Sequence, residues 1–182
     1  MLCPIRLLRR RLPGFAVLLL LAGAAPRAVM AASLSSQEVQ VLGKALAFMQ
    51  PLPPGATTIA VVYAAGDARS HADAEQIAAE IGNGFQIGTV VLKPQVIDTA
   101  ALATSDPAVI VTATGANGDA VLDASRAQHA LCVTSALAAV QSGSCTMSIR
   151  SNPRVEIVLN AEAARAAGVG FPIAFHMMVR EL

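Results

Sequence analysis

Two cysteines, Cys132 and Cys145, carry the strongest chemical signal in this chain. The third, Cys3, lies in a segment expected to be removed on export. Two thiols left together in an oxidising compartment are expected to pair. The bridge would close a loop of about 14 residues, worth roughly 3 kcal/mol in the chain-entropy model. The alternative is two buried free thiols. The pair is not a C-x-x-C redox motif, and spacing alone does not separate a structural bridge from a redox switch.

Other reactive side chains are scattered. His71, His129 and His176 have no second ligand in a zinc spacing such as H-E-x-x-H. His176-Met177-Met178 offers soft donors, but neighbouring side chains on a helix diverge, and Met in an amphipathic helix is commonly core filler. The expectation is therefore no metal and no cofactor. G-x-S-x-G is absent, and no S-x-x-K stands with matching partners. No acid–base constellation emerges, so the chain is expected not to be an enzyme. Two turns remain as a candidate ligand crevice. One carries Asp67 and Arg69, and the other carries Thr114 and Asn117. Each follows a predicted strand, where doubly wound sheets bind ligands, and amides at helix starts can hold a carboxylate or phosphate. Turn chemistry common to βα units explains the same residues without a ligand.

The first residues set the compartment. Arg6, Arg9, Arg10 and Arg11 precede a 12-residue apolar run at 14–25, and Val29-Met30-Ala31 offers a cleavage site. This is the pattern of a secretory signal peptide over residues 1–31. A spanning helix would need about 20 apolar residues. The exported part, residues 32–182, is expected to be one soluble periplasmic domain with no membrane insertion after cleavage. Five of the 13 Lys and Arg residues lie in the signal and none of the 12 Asp and Glu, which leaves the exported part near −4. An acidic domain without a basic cluster does not suit nucleic acid.

Behind these residues stands a βα rhythm. Ser35 and Glu38 form a capping box for a helix over 34–49, and Pro51 to Gly55 stops it. Residues 58–64 (TIAVVYA), 85–92, 108–114 (AVIVTAT) and 130–134 read as strands, the β-branched ones as buried on both faces. Ser70 with Asp73 is expected to cap the helix after the first strand, which runs to about residue 81. Residues 94–103 form a connection with one helical turn capped by Asp98, and residues 119–128 form another helix. Right-handed crossovers then give a parallel sheet. The predicted fold is a small three-layer α/β/α domain, flavodoxin-like in its parallel half, with strand order 2-1-3-4. After a short helix or turn at 135–141, strands at 144–150 and 153–159 are separated by Ser151-Asn152, which requires an antiparallel hairpin. In the second of these, Val155, Ile157 and Leu159 alternate onto a buried face. Asn160 caps a helix over 161–167, and a last helix is expected over 172–182.

This C-terminal third carries a resemblance. Ser142-Gly143 forms the turn, Met147 and Ile149 mark a strand, and a second strand runs Arg154-Val155-Glu156-Ile157-Val158-Leu159-Asn160. An Ala-rich helix then reaches Gly168 and an apolar segment runs from Phe171 to Leu182. In this order of elements the chain resembles the YfiR-like family of bacterial periplasmic proteins. The resemblance implies a non-enzymatic regulator that binds and inhibits the periplasmic sensor domain of an inner-membrane diguanylate cyclase or related receptor, and so controls cyclic-di-GMP. It also implies that Cys132 and Cys145 stabilise the partner-competent form. A homodimer stays open. The competing reading is a single-lobe periplasmic small-solute-binding protein. A crevice lined by Asp67, Arg69, Thr114 and Asn117 would favour it, whereas an apolar patch on the hairpin or terminal helix would favour the regulator.

Overall fold

A computed structural model describes residues 33–50 and 56–182. The predicted signal peptide and the Pro-rich linker lie outside the described residues. The chain folds as a mixed α/β structure around one eight-stranded sheet.

The first helix, α1 (Ser36–Leu46), starts where the capping box requires. The Ser35 hydroxyl accepts from the Glu38 amide and the Ser35 amide donates to Glu38 Oε2 at 2.8 Å. Glu38 does more than cap. Its other oxygen accepts from the amide of Ser151 at 2.7 Å and from the Ser151 hydroxyl at 3.1 Å. One buried carboxylate thus ties α1 to the C-terminal hairpin across 113 residues. Glu38→Ala would leave three donors without this partner, and charge-assisted bonds of this kind are worth about 1.5–3 kcal/mol. A loss of about 2 kcal/mol in urea unfolding is expected; a change below about 0.5 kcal/mol would show that the tie is not formed.

The parallel half follows the expected order. Strand β1 (Ala56–Tyr63) lies between β3 (Val90–Asp98) and β4 (Val109–Thr112), and β5 (Leu131–Thr134) lies beyond β4, all parallel. Helix α2 (Ala68–Ile81) follows β1, and α3 (Asp119–Ala127) links β4 to β5. The single strand expected at 85–92 is instead a hairpin, in which β2 (Phe85–Ile87) pairs antiparallel with β3. Gly88, at φ 58°, sits in its tight turn. Strand β3 runs on through Pro94, beyond the reach of β2, where one side of the strand is open and a missing N–H breaks no ladder bond. A single 3-10 turn follows at Ala101–Thr104, with Ala100 and not the expected Asp98 at its N-cap; Asp98, the last residue of β3, accepts from the Ala101 amide at 2.7 Å.

A further expectation is corrected at α2. Its cap is Asp67, whose Oδ1 accepts from the amides of Arg69 and Ser70. Ser70 turns back instead, its hydroxyl accepting from the Ala64 amide at 2.9 Å. Asp73 reaches across to the Thr114 amide at 2.7 Å.

After β5, the short helix α4 (Leu137–Gln141) crosses over to β6 (Met147–Arg150), which pairs parallel with β5. Strand β7 (Glu156–Leu159) then closes the expected antiparallel hairpin with β6. Asn160 caps α5 (Ala161–Ala166), accepting from the Ala163 amide at 2.9 Å. The last helix is shorter than expected. Helix α6 (Ile173–His176) makes one turn, and the chain then extends into β8 (Arg180–Glu181), parallel to β7. The open edge of β7 explains the switch: the Leu182 amide donates to the Leu159 carbonyl at 3.0 Å, a bond that a continued helix would forgo.

Two cores flank the sheet, as a three-layer arrangement demands. On one face Ile59, Val61, Val109, Leu131, Met147 and Ile149 pack under α1, α2, α5 and α6. On the other, Ala60, Val62, Ile110 and Cys132 pack under α3 and α4. Cys132 and Cys145 are joined by a disulfide there, with Cα atoms 5.1 Å apart and both side chains buried.

Candidate functional site

The expected crevice residues do come to one end of the sheet. Strand β1 is flanked by β3 and β4, so the turns after β1 and β4 lie at the topological switch point. The bond from the Thr114 amide to Asp73 joins α2 to the second turn. Yet the polar atoms here serve the fold. Asp67 caps α2. The Asn117 Oδ1 accepts from the buried Thr112 hydroxyl at 3.0 Å. Arg69 is exposed on the first turn of α2. The arrangement is that of two braced turns.

A different site lies at the other end of the sheet order, over β7 and α6. A cavity of about 500 Å³ opens between α1 and the C-terminal edge. Val41, Lys44 and Phe48 form one wall; Val155 and Ile157 form the floor; Phe175, Met178 and Val179 close the far side. Helix α1 can line it because its core face (Val39, Leu42, Ala45, Leu46) is already buried on the sheet, which leaves its flank free. Phe175 packs behind the far wall. It is 2 % exposed, stacks on Phe171 at 4.5 Å between centroids and meets Phe48 at 5.5 Å. A short antiparallel bridge between Gln50 and Gly170 holds the end of α1 to the loop before α6.

Val155 and Met178 in the groove lining are exposed apolar side chains, and more lie on the adjoining C-terminal segment. Ile173, Met177 and Met178 are 80 %, 84 % and 62 % exposed, and Val155 and Leu182 about half exposed. These five are the exposed large hydrophobic side chains among the described residues, and all fall between residues 155 and 182. Two sequence expectations are corrected here. Met177 and Met178 are not core filler, and Val155 is not on the buried face with Leu159. Charges sit on the flank: Glu156 is clasped by Arg150 and, at 3.3 Å, by Arg180, while Lys44 stands on the α1 wall. The signal that pointed here was an apolar doublet beside a buried Phe175, which periodicity alone assigns to the core.

The three histidines lie apart. His71 packs on Tyr63 and pairs with Glu75. His129 approaches the Ala167 carbonyl at 3.2 Å. His176 sits between Glu181 and the Phe171 carbonyl. Among the described residues no group of three or more His, Cys, Asp or Glu side chains is placed to hold a metal ion, and no helix is long and apolar enough to cross a membrane.

No protein-family model and no curated protein matches the chain. Solved structures do. One is a conserved domain protein from Vibrio cholerae O1 biovar El Tor N16961, at TM-score 0.55 and 15 % identity over 82 % of this chain and 60 % of that one. Another is an ABC domain in complex with L-Trp from Streptococcus pneumonia, at TM-score 0.51 and 16 % identity over 80 % of this chain and 59 % of that one. The chain spans about three fifths of the length of these neighbours. At such identities the likeness is one of fold: a mostly parallel α/β sheet with helices on both faces.

Proposed function

We propose that this protein is an exported, non-enzymatic regulator that uses the groove between α1 and its C-terminal edge to bind a protein partner. The partner is the periplasmic sensor domain of an inner-membrane signalling protein, a diguanylate cyclase in the YfiR-like reading, and binding inhibits it. One observation carries the proposal: the exposed apolar side chains Val155 and Met178 line one groove, and the other three large exposed ones, Ile173, Met177 and Leu182, lie on the same C-terminal segment that builds its far wall. Apolar patches of this kind rimmed by charge mark interaction surfaces. Their centre supplies most of the binding energy, while flanking charges such as Lys44 and Arg180 set orientation.

The test is affinity capture from membrane extracts of the producing cell. The full chain is expected to retain a membrane protein with an external sensor domain. Val155→Asp or Met178→Asp should weaken that retention by about 30-fold or more, the effect of losing one central contact. Val155 is about half exposed and Met178 largely so, so the fold should persist. Capture unchanged by both substitutions would defeat the proposal.

A second reading is favoured by the groove's size. About 500 Å³ falls within the range of small-molecule sites, and one fold neighbour holds L-Trp. As a single-lobe solute-binding protein, the chain would seat an aromatic amino acid against Phe48 and Phe175, with Lys44 on its carboxylate. Calorimetric titration with L-Trp separates the readings. Saturable binding lost in Lys44→Ala supports the solute; absence of heat leaves the protein partner.

A further inference from the structure

His176 stands where the groove wall becomes the terminal strand. Its two ring nitrogens meet two acceptors: Nδ1 the Glu181 carboxylate and Nε2 the Phe171 carbonyl at 3.2 Å. Neither partner can donate. A neutral imidazole has one N–H and satisfies only one of them, whereas the imidazolium satisfies both. The two partners belong to segments on either side of α6, so the charged ring clasps the entry loop and β8 together. What it clasps is the strap of residues 177–182, which carries Met178 and Val179 of the groove wall.

The strap is otherwise held by Val179 against the core, by the Arg180–Glu156 ion pair and by short strand pairing. Strand β8 is two residues long, and beyond its pairing with β7 the Leu182 amide bonds the Leu159 carbonyl. The charged groups around the ring are accounted for. On β8, Arg180 is turned to Glu156, which leaves Glu181 to His176. On β6, Arg150 also belongs to Glu156. On α1, Lys44 stands on the other wall of the groove.

We propose that His176 is a pH-dependent latch: as imidazolium it fastens the strap over residues 177–182 and completes the groove wall, and on losing its proton it releases the strap. This rests on the groove being the binding surface, and it supplies that surface with a regulator. The direction follows from the ring's surroundings. The hydrogen bond to Glu181 raises its pKa most; partial burial works against the rise, and the charge of Glu181 and the Phe171 carbonyl add to it. A group with a raised folded pKa stabilises fully below its ordinary value, and that contribution fades as pH climbs through the raised value. The latch is therefore closed in mild acid and opens toward alkaline pH.

The experiment needs no partner. In the protein alone, His176 is titrated through its ring resonances while hydrogen exchange at the Leu182 amide is followed, corrected for the intrinsic rate. Protection at Leu182 is expected to fall at least about threefold from pH 6 to pH 8.5, with the midpoint of the imidazole titration. Amides of β4 and β5 should not follow it. Glu181→Gln, an exposed change that spares the core, should give low protection with little pH dependence, and His176→Gln the same. Constant Leu182 protection through the titration, or wild-type behaviour in both variants, would overturn the latch. The Val155→Asp capture result stands apart from either outcome, so failure of the latch and failure of the groove are told apart.

Discussion

Replacing Phe175 by alanine is expected to cost about 3 kcal/mol, the low end of the range for buried aromatic truncation. The ring is almost fully buried and touches Phe48 of α1 and Phe171 of the preceding loop. Helix α6 has four residues, too few to hold its shape without packing. Phe175 is its one buried side chain. Removing it should free α6 and β8 together, and that local release keeps the cost from reaching the upper end of the range. In thermal unfolding followed by circular dichroism, the midpoint should drop by about 6–12 °C for a domain of this size. Amide exchange should rise at Leu182 and at Gly170, whose amide bonds the Gln50 carbonyl, while β1 and β4 stay protected. Phe175→Leu should recover most of the loss, since volume matters here more than aromaticity. Partner capture should fail in Phe175→Ala even below its melting point, because one wall of the groove has gone. A cost under about 1 kcal/mol would mean that the C-terminal segment does not pack where the structure puts it.

The parts of the fold that were legible are those where one physical demand dominates. Strands buried on both faces must be apolar throughout, and the runs from Thr58 and Ala108 announce this. Their order then follows from the handedness of crossovers. The Ser35–Glu38 box and the Asn160 cap were readable because a side chain at a fixed offset meets a fixed orphan amide. Where two local solutions compete, sequence was less decisive. Ser70 and Asp67 can both cap α2; Asp67 does so, because Ser70 is drawn to the Ala64 amide. Gly88 in an apolar run marks either a bulge or a turn, and it is a turn. The candidate site divides in the same way. The switch-point turns were placed correctly by topology, but whether Asp67 and Asn117 face a ligand or brace the backbone depends on partners far along the chain. The groove was hidden for a plainer reason. It is assembled from α1, β7 and α6, and an apolar side chain has the same signature whether it will meet this protein's core or another molecule.

Loss of the Cys132–Cys145 bridge is expected to lower global stability by about 3 kcal/mol, as the chain-entropy model gives for a loop this size. The two residues are 13 apart in sequence, and the loop between them holds α4 and its turns. Both sulfurs are buried among Val140, Ala139 and Val158, so reduced thiols can remain in place as small apolar groups. Reduction should therefore lower the urea midpoint while leaving the fold intact. The double Cys→Ala variant should match the reduced protein to within about 1 kcal/mol, and the double Cys→Ser variant should be worse, because two hydroxyls would then be buried without assured partners. The functional consequence depends on geometry. The bridge sits on the face of the sheet covered by α3 and α4, whereas the groove is built against the other face. Two short routes join them within the hairpin: β6, which follows Cys145 by two residues and pairs with the strand that carries Ile157, and Val158 on that strand, which packs beside the bridge. If the bridge sustains the partner-competent form, reduction must loosen this hairpin, and partner capture should fall under reductant at temperatures where the protein remains folded. Exchange at the β6–β7 amides should rise with it. If stability drops by the expected amount while capture and hairpin exchange stay level, the bridge is a staple for α4 alone, and redox control of the groove is excluded.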